Sequence, residues 1–129
     1  MKLDVDDMCF ACGKGNPIGL KLDFAFEGED YVTHFEVKPE YQGWTGIVHG
    51  GLLATVLDET MARLLWEHDR NAITGRLKVR YHQPAKIGEK LTVRARITKD
   101  RARLIETQAQ AVNADGTLVA EATAVSMGV

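Results

Sequence analysis

The chain has 129 residues, of which 45% are hydrophobic and 26% are charged, and its formal net charge is -2. This size and composition fit one domain, residues 1–129, with a sizeable core, and the charge balance gives no reason to expect a nucleic acid or a membrane as a partner. The acidic N-terminus lacks the features of a signal peptide, and no apolar run approaches the ~18 residues of a spanning helix, so we expect a cytoplasmic location.

The first half of the chain predicts a hairpin followed by one long helix. Residues 1–19 are rich in turn-forming residues and favour an irregular segment. Alternating apolar and polar residues then predict two strands, 20–26 and 31–37. Residues 52–68 contain no glycine or proline and are rich in Leu, Ala, Met and Glu, which predicts a helix. Because the first half of that helix is apolar on nearly every side, we expect it to be buried.

The second half of the chain follows a period of two, which predicts four more strands. These strands cover residues 73–81, 88–97, 104–112 and 118–127. The order β-β-α-β-β-β-β fits an α+β fold in which an antiparallel sheet curls around the single helix. Since six short strands leave part of that helix uncovered, we expect the sheet edges of two chains to pair in a homodimer. The sequence leaves open whether two dimers join into a tetramer.

The predicted start of the helix carries the first candidate site. His49 is followed by Gly50 and Gly51, and adjacent glycines allow a ligand to approach the backbone closely. The free N–H groups and the positive end of the helix dipole can hold a carbonyl oxygen and stabilise the oxyanion formed when that carbonyl is attacked. The alternative interpretation is a tight turn with a hydrogen-bonded histidine.

Two neighbouring carboxylates lie in the middle of the same helix. Asp58 occupies an otherwise apolar run, where a carboxylate needs a partner or a function. Glu59 lies one position further, a rotation of about 100° around the helix, so the two side chains cannot enter the same site. One of them should therefore be solvated or ion-paired, and the pattern alone does not choose between them.

The motif HGGLLATVLDETM, with GWTGIV before it and TGRLKVRYHQPAKIGE after it, resembles hot-dog-fold thioesterases of the PaaI-like group. The resemblance covers nearly the whole chain and implies an acyl-CoA thioesterase. It implies that the acid nine residues after His49, which is Asp58, is the nucleophile or general base. It also implies that the amides of Gly50 and Gly51 hold the thioester carbonyl, with Asp58 supplied by the partner subunit. His49 would then position the substrate.

Coenzyme A is part of the substrate in this interpretation, and no separate cofactor is expected. One row of basic residues, on one face of a predicted strand, is a candidate contact for its phosphates. The row consists of Arg76, Lys78 and Arg80. A second basic cluster, Lys99, Arg101 and Arg103, is an alternative, and either could be an ordinary solvated face. Trp44, beside the motif, is either a core anchor or a wall of the substrate pocket.

Cys9 and Cys12 have half of the spacing of a zinc site, but the chain has no other cysteine and its four histidines are scattered. We therefore expect no metal. The opening CFACG...NPIGL also resembles the N-terminal segment of many PaaI-like proteins, and we interpret it as packing.

Two alternative functions share this fold. A hydratase or dehydratase acting on acyl thioesters uses a histidine and a carboxylate on the acyl chain, and no second histidine lies near the glycines. A non-catalytic acyl-CoA-binding protein would need a regulatory segment, for which one domain of 129 residues leaves no room. Acyl-chain preference depends on the three-dimensional shape of the pocket.

Overall fold

A computed structural model describes all 129 residues and contains one long helix and one six-stranded sheet. The elements are β1 (Phe24–Glu27), β2 (Asp30–Glu36), a short 3-10 helix (Pro39–Tyr41), α1 (Gly50–Glu67), β3 (Ala72–Tyr81), β4 (Lys90–Arg101), β5 (Leu104–Val112) and β6 (Leu118–Gly128). The predicted order of helix and strands is confirmed. No helix combines the length and the apolarity needed to cross a lipid bilayer.

The sheet is antiparallel throughout, with the strand order β1-β2-β4-β5-β6-β3, and it curls around α1. Strands β2 to β6 all contact the helix. Leu53, Leu57, Met61 and Leu64 of α1 are almost completely buried against the small and branched residues on the inner face of the sheet. The structure therefore confirms both the buried helix and the predicted hot-dog architecture.

The first strand begins later than the sequence pattern predicts. Alternation predicts a strand over residues 20–26, but β1 begins only at Phe24. The N–H groups of Leu20 and Leu22 instead donate to the carbonyls of Phe10 and Ala11, at 2.8 and 2.9 Å. Residues 20–22 therefore fasten the irregular N-terminal segment to the body of the fold.

A bulge in β3 reverses part of the predicted alternation. Thr74 pairs with Ser126 and Arg76 pairs with Val125, so Gly75 is the extra residue. As a result Thr74 lies on the face of the sheet that covers α1, the same face as Leu77, Val79 and Tyr81. Ile73, predicted to share the face of Leu77, lies on the outer face. The bulge thus places a threonine hydroxyl beside the helix, where the pattern predicted an outward side chain.

The sheet has two open edges, β1 and β3, and β3 is long and unusually exposed. Its ten residues include three apolar or aromatic side chains in contact with solvent, Ile73, Leu77 and Tyr81. A long edge strand with unpaired backbone groups and exposed apolar residues is a surface on which another strand can pair.

Candidate active site

The N-terminus of α1 is capped by His49. The side-chain Nδ1 of His49 accepts the N–H of Gly51 at 2.9 Å, and the backbone N–H of His49 donates to Tyr41 at 2.8 Å. The cap starts the helix at Gly50, two residues before the predicted start. Because Nδ1 is an acceptor, the neutral ring carries its proton on Nε2, so that nitrogen is the one able to donate to a ligand.

The cap leaves the backbone N–H groups of the two glycines in different states. The N–H of Gly51 is engaged by His49, whereas the N–H of Gly50 donates to no acceptor in the chain. The amides of Leu52 and Leu53 both donate to the carbonyl of His49. One unpaired amide, that of Gly50, therefore lies at the positive end of an 18-residue helix, where it can donate to an anionic or polarised oxygen.

An open cavity of about 510 Å³ covers this helix tip. Its walls are Gly43, Trp44, Val48, His49, Gly50, Gly51 and Tyr81. Trp44 is 85% exposed and is therefore no core anchor, but it does form a wall of the cavity, which was the alternative role considered for it. Tyr81 closes the other side, and its hydroxyl donates to the carbonyl of Gly50 at 2.6 Å. Partial burial raises the pKa of Tyr81, so its phenol stays protonated and remains a donor at neutral pH.

The Tyr81 hydroxyl fixes the helix tip to the edge strand. Replacing Tyr81 with phenylalanine removes only this hydroxyl, and we expect the free energy of unfolding to fall by about 0.5–1.5 kcal/mol. Urea unfolding of the two proteins at equal concentration measures the difference. An unchanged midpoint and slope would show that the hydrogen bond does not hold the tip.

Asp58 lies on the flank of α1 that faces β3. Its side chain is partly buried, and Oδ1 accepts a hydrogen bond from the Thr74 hydroxyl at 2.9 Å. This contact leaves the second carboxylate oxygen available. Asp58 follows Gly50 by eight residues, about 12 Å along the helix axis. It therefore lies outside the tip cavity of its own chain.

Glu59 points to a different part of the molecule, as the rotation between adjacent helix positions requires. Its Oε2 lies 3.5 Å from the Sγ of Cys9, in the irregular N-terminal segment. The structure thus separates the two carboxylates that the sequence left as rivals. Asp58 faces the open edge of the sheet, and Glu59 is partly buried under the N-terminal loop rather than solvated or ion-paired.

The two cysteines and Glu59 form one polar cluster beside α1. The Sγ of Cys12 accepts a contact from Nη1 of Arg63 at 3.5 Å. Burial, together with the nearby Glu59 carboxylate, raises the pKa of Cys12 to about 12. The Cys12 thiol is therefore protonated at neutral pH.

This shift predicts a loss of stability in alkali. The unfolded thiol loses its proton near the ordinary value of 9.0, whereas the folded thiol keeps it up to about 12. Between those values the unfolded state binds fewer protons, so the free energy of unfolding falls as the pH rises. Cys12→Ser should remove part of that fall. Urea unfolding of the wild type and the variant across this pH range, with reductant and chelator present, makes the comparison. The raised pKa of Tyr31 also lowers the free energy of unfolding in alkali, but it does so in both proteins. If the unfolding free energies of the two proteins fell identically with pH, the Cys12 thiol would not be a cause of the loss of stability.

The basic row lies on the outer face of the sheet. Arg76, Lys78 and Arg80 pair across the sheet with Val125, Thr123 and Glu121, and none of the three forms an ion pair. In the alternative cluster, Lys99 is already 4.0 Å from Glu106. The first row therefore has the larger number of unpaired cations next to the open edge.

Two residues of the site were missed by sequence reasoning, Thr74 and Tyr81. A threonine and a tyrosine in a strand of alternating residues give no sign of their partners. Gly75, directly after Thr74, was a usable signal, because an isolated glycine inside a strand pattern suggests a bulge.

Comparison with known proteins gives one family and several similar structures. A family model described as the thioesterase superfamily matches residues 45–120. Acyl-coenzyme A thioesterase 13 of Homo sapiens is 32% identical over 93 residues, which are 70% of this chain and 66% of the human protein. The match thus spans just under two thirds of that relative.

Two solved bacterial structures share the fold. A hypothetical thioesterase of Streptococcus pneumoniae, solved with coenzyme A, superimposes with a TM-score of 0.79 at 17% identity, over 84% of this chain and 85% of its own. The PaaI protein of the E. coli phenylacetic acid degradation operon superimposes with a TM-score of 0.78 at 19% identity, over 84% and 83%. At these identities the likeness is evidence for the fold.

Proposed function

The chain belongs to the thioesterase superfamily, and from its site we propose that it hydrolyses acyl-coenzyme A to a free acid and the coenzyme A thiol. The PaaI-like resemblance agrees with this membership. The observation that carries the proposal is the unpaired Gly50 amide, which lies in an open cavity at the positive end of α1. A donor in that position is suited to the oxyanion that develops when a thioester carbonyl is attacked.

The site is composed of two chains. Asp58 lies about 12 Å along the helix from Gly50, too far to attack a carbonyl held at the tip of the same helix. It does lie beside the open edge strand β3, where a second chain can pair. Pairing of two β3 strands would bring the Asp58 of each chain towards the helix tip of the other. The proposal therefore includes a homodimer, alone or within a dimer of dimers.

The chemistry requires one carboxylate and one amide donor. Asp58, oriented by Thr74, either attacks the thioester carbon or takes a proton from a water molecule that attacks it. In either case the carbonyl oxygen becomes an oxyanion held by the Gly50 amide, and its collapse breaks the carbon–sulfur bond. When water attacks, the free acid forms directly, and the departing thiolate takes up the proton that Asp58 removed from that water. When Asp58 attacks, the acyl group is held as a mixed anhydride on its carboxylate until a water molecule hydrolyses it, which releases the acid, restores Asp58 and supplies the proton for the thiolate. His49 holds the helix start and offers Nε2–H to the substrate. No cofactor is needed, since coenzyme A enters with the substrate.

The function is tested by thiol release from a panel of acyl-coenzyme A esters. Saturated acyl groups are the informative members, because a hydratase or dehydratase has no double bond or hydroxyl to act on in them. Release of free thiol from saturated esters supports hydrolysis, and tight binding without release supports the non-catalytic alternative. Light scattering on the same sample gives the number of chains in the assembly.

The basic row should contribute to the binding of coenzyme A. Changing Lys78 to glutamate replaces an unpaired cation by an anion, and we expect KM for acyl-coenzyme A to rise about tenfold with little change in kcat. The matched control is Arg103→Glu in the alternative cluster. Steady-state kinetics at low and high salt measure both, and a larger rise in KM for the control would assign the phosphates to the other cluster.

The proposed reaction uses a substrate found inside cells, which supports the expectation of a cytoplasmic protein. Nucleic acids and membranes have no part in the proposed function.

A further inference from the structure

The cysteine and histidine spacing alone gave no reason to expect a metal, but the fold adds Glu59 to the two cysteines, and we propose that Cys9, Cys12 and Glu59 bind one divalent cation of the zinc class. The two thiol sulfurs and a carboxylate oxygen of Glu59 all lie within 4.8 Å of one another. This cluster is separate from the proposed active site, because Glu59 leaves α1 on a different side from Asp58. The proposed hydrolysis does not use any of these three residues.

The geometry fits tetrahedral coordination with little rearrangement. Zinc binds sulfur at about 2.3 Å and carboxylate oxygen at about 2.0–2.2 Å, so ligand atoms of one ion lie roughly 3.3–3.8 Å apart. The Sγ of Cys9 already lies 3.5 Å from Oε2 of Glu59. The spacing Cys-x-x-Cys is the one that zinc sites use to supply two ligands from a single turn. Three protein ligands leave the fourth position to water.

The turn that carries the cysteines is held in shape. The N–H of Gly13 donates to the carbonyl of Cys9 at 2.8 Å, which closes the turn around both thiols. A β-carbon at Gly13 would lie 2.5 Å from the backbone of Asp7 and of Cys9, so no other residue fits there. The backbone bonds from Leu20 and Leu22 fasten the same loop to the fold. The ligands are thus preorganised before an ion arrives.

The charges around the cluster also fit a cation. Two thiolates and one carboxylate carry a charge of about -3, which a divalent ion reduces to -1. The remaining charge lies beside Arg63, whose Nη1 is 3.5 Å from the sulfur of Cys12. The Nε of Arg63 is buried and has no hydrogen-bond partner. On binding, each thiol releases its proton to solvent, and the metal–sulfur bond stabilises the resulting thiolate, which would be unfavourable if it were buried alone.

Cobalt(II) titration of the reduced, metal-free protein tests the proposal. The chain contains only two cysteines, so a thiolate-to-cobalt charge-transfer band can arise only from Cys9 and Cys12. We expect the band to saturate at one ion per chain with the intense visible absorption of tetrahedral cobalt, and zinc to displace it. Absence of the band in the reduced wild-type protein would overturn the proposal, as would a Cys9–Cys12 disulfide that persists with reductant present.

Variants identify the ligands in the same titration. Cys9→Ser and Cys12→Ser should each weaken zinc binding at least a hundredfold, and Glu59→Gln should weaken it about tenfold, measured by competition with a chromophoric chelator. The matched control is Asp58→Asn, which removes the neighbouring carboxylate and should leave zinc affinity unchanged. Equal affinity in wild type and Glu59→Gln, or an equal loss in Asp58→Asn, would contradict the assigned ligand set.

Discussion

Asp58→Asn should lower kcat for acyl-coenzyme A hydrolysis by about a hundredfold to ten thousandfold. Asparagine keeps the shape of the side chain and can still contact the Thr74 hydroxyl, but it can neither attack a thioester nor accept a proton from water. Since the amide at the helix tip is untouched, substrate binding should remain, and KM should change far less than kcat. Steady-state measurements of thiol release on the same preparations give both kcat and KM.

The matched control for this variant is Glu67→Gln, which neutralises another carboxylate on the same helix. Glu67 contacts Arg63 and Tyr31, far from the tip cavity, and we expect its kcat to remain near that of the wild type. Circular dichroism and light scattering establish that both variants keep their fold and assembly. If Asp58→Asn kept the wild-type kcat with its assembly intact, Asp58 would have no catalytic role.

Leu57→Ala should destabilise the protein by about 2–5 kcal/mol. Leu57 is 0% exposed and lies at the centre of α1, where the curled sheet covers the helix. Truncation removes buried apolar contacts and leaves a cavity that the surrounding strands can only partly fill. Urea or thermal unfolding at a fixed protein concentration measures the loss, since the stability of an oligomer depends on concentration.

The control for the core prediction is Ile18→Ala, at a residue that is 76% exposed in the N-terminal segment. We expect a change within about 0.5 kcal/mol there. If Leu57→Ala were as mild as this control, the helix would not be the element that the sheet is built around.

The hydrophobic periodicity of the sequence was sufficient to predict the order of the elements and the sheet that covers the helix. A helix that is apolar on most of its surface has to be covered, and the six alternating segments offered only a sheet to cover it. Capping was less visible, because His49 is not among the usual N-cap residues. Its ring extends the helix to Gly50 and takes up the amide of Gly51, which the resemblance had assigned to the substrate. The structure leaves the Gly50 amide as the one that is unpaired.

The hydrophobic periodicity could not predict contacts between segments that are distant in the sequence. The bulge at Gly75 turns Thr74 towards Asp58, although strict alternation placed Thr74 outside. Glu59 and the two cysteines are 50 and 47 positions apart in sequence, and only the folding of the N-terminal loop onto α1 brings them together. Such encounters depend on the path of the chain, which local propensity does not determine.

Mixing two inactive variants tests most directly whether each site uses the helix tip of one chain and Asp58 of another. The first variant is Asp58→Asn. The second is Gly50→Asp, which places an anion where the oxyanion forms. A β-carbon at Gly50 would lie 3.4 Å from both the ring and the hydroxyl oxygen of Tyr81, which is ordinary van der Waals contact, and an acidic residue in the first turn suits the helix dipole.

Each variant alone should be inactive. After equal mixing with subunit exchange, half of the dimers contain one chain of each kind and hold one intact site out of two, so about a quarter of the wild-type activity should return. If the mixture stays as inactive as its two components while exchange is shown to be complete, each site lies within a single chain and the two-chain site is wrong.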